Sequence, residues 1–414
     1  MRHFLQGCWV AVALLLIPPL SAAQSAAAAS APAAQNATEA IEKALDHMHN
    51  LQYDLAIREL KTITAEYPSD LRAQSSLATA ILHREMYAKG VFKIDMYTKG
   101  GSIFSGNKPA LDVEFEKEFL SASNRAIAMA DARLKANPND EEALYWGGDA
   151  HAQVATYEFT LRRAYLASLR EGGVAYAMHT RLYKMDPHAT DALLVIGLHN
   201  YIVGSLPFYI KMLAALTGHH GSKQQGVQML REVSSHGEWA RAEAQLILAV
   251  FYGRDRQYLP MIDLLRGLYA AYPGNFLLPI EMAGAYEKLG LFQNATQVLD
   301  TLLANQDPHR SSFPPFPAAQ LYYHAGQDYL KLGDKTAALE RFVQAGALPG
   351  KDIHIFRADL AAARIYQETH QTSLALAKYR VVADSVPQTE EGRLAQHAID
   401  DLRVGRKGKM GEAG

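Results

Sequence analysis

The sequence predicts an all-α fold, an α-solenoid of stacked helix-turn-helix pairs. Three observations carry that expectation. Small residues and large apolar ones recur four apart in five segments that stay in register. The units close on a proline, often within Asn-Pro or Asp-Pro. No stretch alternates apolar with polar residues as a half-buried strand would. A length of 414 residues would by itself suggest two or three domains. Repetition at a period of about 34 residues replaces that expectation with one continuous stack.

The first element is a leader. Arg2 and His3 form a short basic start, Trp9 to Ile17 is apolar, and Pro18-Pro19 breaks the run. Ser21-Ala22-Ala23 then places small residues where a signal peptidase cuts, so residues 1–23 read as a signal peptide cleaved after Ala23. The chain is thus expected to be exported, to a periplasm or beyond. Leu5-Gln6-Gly7-Cys8 precedes the apolar run, whereas a lipid-attachment box would follow it. Cys8 is the chain's one cysteine, so an exported product has no thiol for disulfides, catalysis or metal binding. Residues 24–36 are nearly all Ala, Ser, Gln and Pro and read as a disordered tether, because nothing there can repay the entropy of ordering.

The repeats follow, over 37–404. The segment 37–70 supplies Ala44, Tyr53, Ala56, Leu60 and Pro68. The segment 242–275 has Ala249, Tyr252, Tyr258, Leu265 and Pro273, and 276–309 has Ala283, Tyr286, Gly290, Ala295 and Leu299. In 319–352 the matching residues are Tyr322, Gly326, Tyr329, Gly333, Ala338, Phe342 and Ala345. In 356–389 they are Ala363, Tyr366, Ala375, Tyr379 and Pro387. Each small side chain lets two helices approach, and each large one fills the facing gap. These residues resemble the tetratricopeptide unit. Between 71 and 241 the pattern loosens into longer helices, with Asn137-Pro138-Asn139 and Asp186-Pro187-His188 as punctuation. A Gly- and Ser-rich loop at 99–107 interrupts this region, and residues 405–414 read as a basic, frayed tail.

Catalytic and cofactor motifs are missing. Gly101 to Pro109 fails as a phosphate loop, because Asn107 stands where Lys is required and no strand precedes it. His47 and His49 are two apart and cannot share a helix face. His219-His220 lies between glycines, and Asp307-Pro308-His309 repeats the punctuation of Asp186-Pro187-His188. No His-Glu-x-x-His and no Gly-x-Ser-x-Gly occurs, so no metal site, cofactor or nucleophile is expected. The 41 Lys+Arg against 43 Asp+Glu give a net charge of −2, or −3 once Arg2 leaves with the leader. That balance gives no footprint for nucleic acid.

One segment resembles a narrower family. Gly197-Leu-His-Asn-Tyr201, Ser205-Leu206-Pro207, Lys211 to Leu216, Gly221 and Gly226-Val-Gln-Met-Leu230 resemble the tetratricopeptide repeat protein thirty-nine and inclusion-body-clearance family and its bacterial relatives. The likeness covers about residues 190–275 and implies a non-enzymatic adaptor. The tetratricopeptide resemblance further implies that positions 2, 5, 9, 12 and 13 of each unit line a concave groove. Those positions include Arg254, Lys288, Tyr323, Gln327, Lys331, Arg357, Arg364 and Gln367, with Glu243, Glu287 and Glu368 among them.

The expected function is therefore an interaction scaffold in the cell envelope, holding a peptide or protein partner in its concave groove. Lys and Arg there suit a carboxylate-bearing partner. A second reading places the chain at a membrane surface through the apolar segment 201–216, too short to span a bilayer and broken by Pro207 and Lys211. A third puts an enzyme site near His151, Tyr157 and Glu158, where no motif supports one.

Overall fold

The computed structural model describes residues 21–91, 109–205, 221–305 and 315–411, with side chains from 35 to 403 within those ranges. The loop at 99–107, residues 206–216 of the apolar segment, His219-His220, Asp307-Pro308-His309 and residues 1–20 of the leader lie outside the described residues. What is described is all α, with no strand among the described residues.

The described residues form eight helix pairs and a terminal helix. They are α1 (Ser21–His49) with α2 (Tyr53–Glu66), α3 (Leu71–Ala88) with α4 (Val113–Ala136), and α5 (Glu141–Tyr157) with α6 (Tyr165–Met185). Next come α7 (Leu193–Gly204) with α8 (Lys223–His236), α9 (Arg241–Arg254) with α10 (Tyr258–Ala271), and α11 (Leu277–Lys288) with α12 (Phe292–Ala304). The series ends with α13 (Ala318–Lys331) and α14 (Lys335–Gly346), α15 (Ile353–Glu368) and α16 (Thr372–Ser385), and α17 (Glu390–Gly411).

The small-large pairs sit where their spacing placed them. Ala249, Ala283, Ala338, Ala345, Ala363 and Ala375 are all buried, as are Phe342, Leu299, Leu265 and Tyr379. Gly326 shows why the position must be small, since a Cβ there would stand 2.5 Å from the Phe342 ring. The turns repeat as well. Leu51, Gly90, Arg256, Gly290, Gly333 and His370 each carry a positive φ between the two helices of a pair. That left-handed residue ends a first helix and redirects the chain into the second.

The first and last helices run past the expected limits of the repeats. α1 extends from Ser21 through residues 24–36. Alanine is the best helix former, so a segment too poor in large side chains to pack can still continue a helix. Likewise α17 continues to Gly411. The long third unit also breaks, at a π-helical turn over Glu158–Arg162 followed by Arg163 at φ 55°.

The stack coils until its start meets its middle. Gly274 N donates to Asn50 Oδ1 at 2.8 Å, and Asn275 Nδ2 donates to the His49 carbonyl at 2.9 Å. One apolar core accordingly unites Met48, Leu51, Tyr53 and Phe119 with Phe276, Ala283, Leu299 and Leu321. No described helix is long and apolar enough to cross a membrane.

Candidate functional site: the concave face

In the C-terminal repeats the first helices touch in series. Glu287 on α11 meets Asp328 on α13. Tyr323 and His324 on α13 lie 5.8 and 6.1 Å from the His354 ring on α15. Arg357 on α15 donates from Nε to Glu391 Oε1 on α17 at 2.8 Å. Side chains on this ladder divide by what they already hold. Lys331 is bound to Asp328 at 3.1 Å and sits 4.6 Å over the Phe292 ring. Gln367 accepts from the Tyr379 hydroxyl at 2.9 Å, and Glu368 accepts from Lys335 at 2.7 Å. Arg357 is committed to Glu391, which its guanidinium holds below the usual carboxylate range.

Two of the expected cations on this ladder are uncommitted among the described residues. Lys288 and Arg364 are exposed and have no ion-pair partner within 4 Å among the described residues, and Gln327, on the first helix between theirs, is half-buried. Tyr323 packs beside them against Phe342. Beneath this row, burial and the neighbouring Asp328 push the Glu287 carboxyl up to about 7. Near neutrality it carries only part of its charge, so the row above it is cationic. Arg254 stands apart from this ladder, 5.8 Å over the Tyr201 ring.

The same face is closed further toward the N-terminus. Glu243, at the second position of its repeat, accepts from His49 Nε2 at 3.0 Å. His49 is the last residue of α1, and its ring packs 4.7 Å from Tyr272. Burial would raise the Glu243 carboxyl, but His49 and its hydrogen bond outweigh that and hold it low. At Glu243 the face expected to line the groove of 242–389 is thus occupied by the chain's own first turn.

The remaining expected residues serve packing. Tyr201 is buried and stacks on Phe251 with 3.4 Å between centroids, while Ile202 beside it is 53% exposed. His151 pairs with Glu171 at 2.8 Å, tying α5 to α6. The Tyr157 hydroxyl donates to Glu116, which also receives Arg162 at 2.7 Å. These are ties between neighbouring helices with no nucleophile or base assembled among them.

Sequence reasoning missed one polar cluster. On α3, Ser75, Thr79 and His83 share a face, and on α5 Tyr145, Asp149 and Gln153 do. Ser75 Oγ donates to Asp149 Oδ2 at 2.6 Å, and Gln153 Nε2 reaches Thr79 Oγ1 at 2.7 Å. Burial pushes the Asp149 carboxyl up to about 6 and His83 down to about 4. The period-four polar spacing was visible, but only the fold shows that the two faces meet.

No protein-family model and no curated protein matches the chain. The narrower likeness over 190–275 therefore gains no support. Among solved structures, the chain is similar to a human IFIT1 dimer with m7Gppp-AAAA at 12% identity, over 89% of this chain and 86% of that one, TM-score 0.37. It is similar to a tetratricopeptide repeat protein from Parabacteroides merdae at 15% identity, over 83% and 99%, TM-score 0.28. It is also similar to yeast Tom70 at 11% identity, over 90% and 96%, TM-score 0.33. The described chain is a solenoid of tetratricopeptide type. That rests on its own helix pairs, buried small-large contacts and left-handed turns.

Proposed function

We propose that this solenoid is a non-enzymatic interaction module that holds an extended, carboxylate-bearing peptide on the concave face of its C-terminal repeats. The observation that carries this reading is the pair of unpaired, exposed cations, Lys288 and Arg364, flanking Tyr323 and Gln327 on adjoining first helices. Lysine and arginine left unpaired on a concave wall offer charge-assisted hydrogen bonds to a carboxylate at little reorganisation cost. Tyr323 adds a ring for an apolar neighbour.

The N-terminal leader supports placing this activity in the cell envelope, after export. A fusion carrying residues 1–40 ahead of a reporter that is active only outside the cytoplasm tests that placement, and an inactive reporter counts against it.

The groove is tested with an array of peptides ending in free carboxylates. Acidic C-termini should be retained, and a K288E/R364E variant with unchanged helical content should lose them. Retention of the same peptides by that variant would refute the reading. Arg357, already held by Glu391, should matter less than Arg364.

A further inference from the structure

Helix α6 is held on one side only. Of its 21 residues Ala175, His179 and Leu182 are buried, against nine of the 17 in α5. Those three form a single stripe, and it packs on α5, where a Cβ on Gly148 would stand 2.5 Å from the His179 ring. The opposite face carries Leu166, Leu169, Gly173, Ala177, Arg181 and Lys184, again three or four apart. It is about 27 Å long. Leu166 is 85% and Leu169 71% exposed, and a Cβ on Gly173 would meet nothing within 4 Å. A surface helix ordinarily has one apolar stripe, turned to the core. A second apolar patch on its solvent side marks a place where something else binds.

The other end of the face is cationic and hollow. Ala177, Arg181 and Lys184 border a depression of about 520 Å³, completed by Tyr176, Thr180, Met185 and Asn139. Its lining contains donors and no carboxylate. Arg181 spends one guanidinium nitrogen on Asn139 Oδ1, at 3.1 Å. Neither Arg181 nor Lys184 has an ion-pair partner within 4 Å among the described residues, and the Thr180 hydroxyl has no hydrogen-bond partner. The carboxylates flanking it in sequence are committed elsewhere. Asp140 and Glu142 hold Arg133, and Asp186 accepts from the His188 amide. Glu141 lies outside the lining.

These features select among occupants. A second copy on a two-fold axis sets Arg181 and Lys184 either against themselves or against Leu166 and Leu169, and neither arrangement is complementary. A bilayer is flat and would leave the depression unfilled. The arginines nearest the leucines are also neutralised, Arg162 by Glu116 and Arg170 by Glu171, which removes the attraction to anionic lipid where the apolar residues would insert. A helix with an apolar end and an acidic end fits both halves of the face.

We propose that this outer face of α6 docks an amphipathic helix of a partner protein, its apolar residues on Leu166 and Leu169 and its aspartates or glutamates on Arg181 and Lys184. The surface lies on a second helix, apart from the first helices that carry Lys288 and Arg364, and does not depend on that groove.

The probe is an end-capped, fluorescein-labelled helical peptide of about 20 residues, long enough to cover the face. One half of one side carries leucines and the other half glutamates, and the peptide is made in both orders. Fluorescence anisotropy with the intact chain should show saturable binding of at least one order, weakened by salt. The same peptides with lysine for glutamate should not bind. R181E/K184E should weaken the glutamate peptide about tenfold or more and take up the lysine peptide, an exchange that mere misfolding cannot produce. L166S/L169S should weaken binding about tenfold, and K288E/R364E should leave it unchanged. Four results overturn the proposal: no saturable binding in either order, equal binding of both charges, unchanged affinity in both α6 variants, or loss of binding in K288E/R364E. Self-association, or sedimentation with phosphatidylglycerol vesicles, that L166S/L169S abolishes while no peptide binds would give the face to a second copy or to lipid and overturn it too.

Discussion

The two ends of the solenoid obey one repeat rule and use its inner face in opposite ways. From α1 to α6 every helix but the 14-residue α2 is long, 17 to 29 residues, and the polar face of α3 and α5 is turned into the body of the protein. From α9 to α16 they are 12 to 16 residues long, and beyond α9 the first helices carry the exposed Lys288 and Arg364. The first region holds Asp149 against Ser75 and Gln153. The second presents Lys288 and Arg364. The difference arises from one turn. His49, Asn50 and Leu51 dock onto α9 and the α10–α11 turn and seal the inner face there. A helical repeat thus fixes the backbone of a groove, while its accessibility is set by contacts between units far apart in sequence.

The seal is the place to break the contrast with the largest effect. Leu51 sits at φ 62° and is only 2% exposed. Leu51→Gly relieves the backbone, worth about 0.5–1 kcal/mol. It also deletes a fully buried leucine, which costs about 2–5 kcal/mol. The net expected loss is about 2–4 kcal/mol by urea unfolding. Glu243, freed of His49, should become reachable in the same variant. If stability is unchanged, the first turn does not hold the inner face closed.

Acid should separate the two regions next. Burial holds His83 and His179 down at about 4, so both fold uncharged. Their stabilisation is complete above the unfolded value near 6.5 and is lost as pH falls toward 4. Asp149 works oppositely. Its carboxyl is raised to about 6, so stability is gained as pH falls through that value. Two histidines against one carboxyl leave a net loss on the order of 2–3 kcal/mol between pH 7 and 4.5. In the C-terminal repeats Glu287 is raised to about 7, and protonating it favours folding over the same range. Hydrogen exchange, corrected for intrinsic rates, should therefore show α3 to α6 losing protection at pH 4.5 before α13 to α16. Equal losses would mean that the buried histidines do not set the acid limit.

How much of this was legible follows from distance along the chain. Gly326 and Phe342 face each other within one unit, as do Ala283 and Leu299, so spacing alone revealed them. The contacts that close the groove join residues 194 to 226 positions apart, and no periodicity encodes them. Repeat position puts Glu243 on a first helix, but no spacing points to its partner His49, which shares no helix face with His47. Arg357 was read as free for a partner, whereas Glu391, on a helix outside the repeat pattern, holds it. Position in a repeat gives the face a side chain lies on, but not the company it keeps.

The smallest expected effect sharpens the comparison, because it uses the geometry of Leu51 with the opposite sign. Arg256 and His370 end first helices at φ 58° and 60°, the conformation that Gly290 and Gly333 adopt in neighbouring units. Both side chains are exposed. Neither has a buried surface to lose, so Arg256→Gly and His370→Gly remove left-handed strain without opening a cavity. Glycine loses more backbone entropy on folding, which offsets part of the gain, and each change should stabilise by about 0.5–1 kcal/mol. The sites lie in separate units, so the double variant should show their sum in urea unfolding. Loss of stability in either variant would show that these side chains contribute more than their exposure indicates. A gain there beside a loss at Leu51 would show that burial of the turn, and not its backbone conformation, distinguishes the sealed end from the open one.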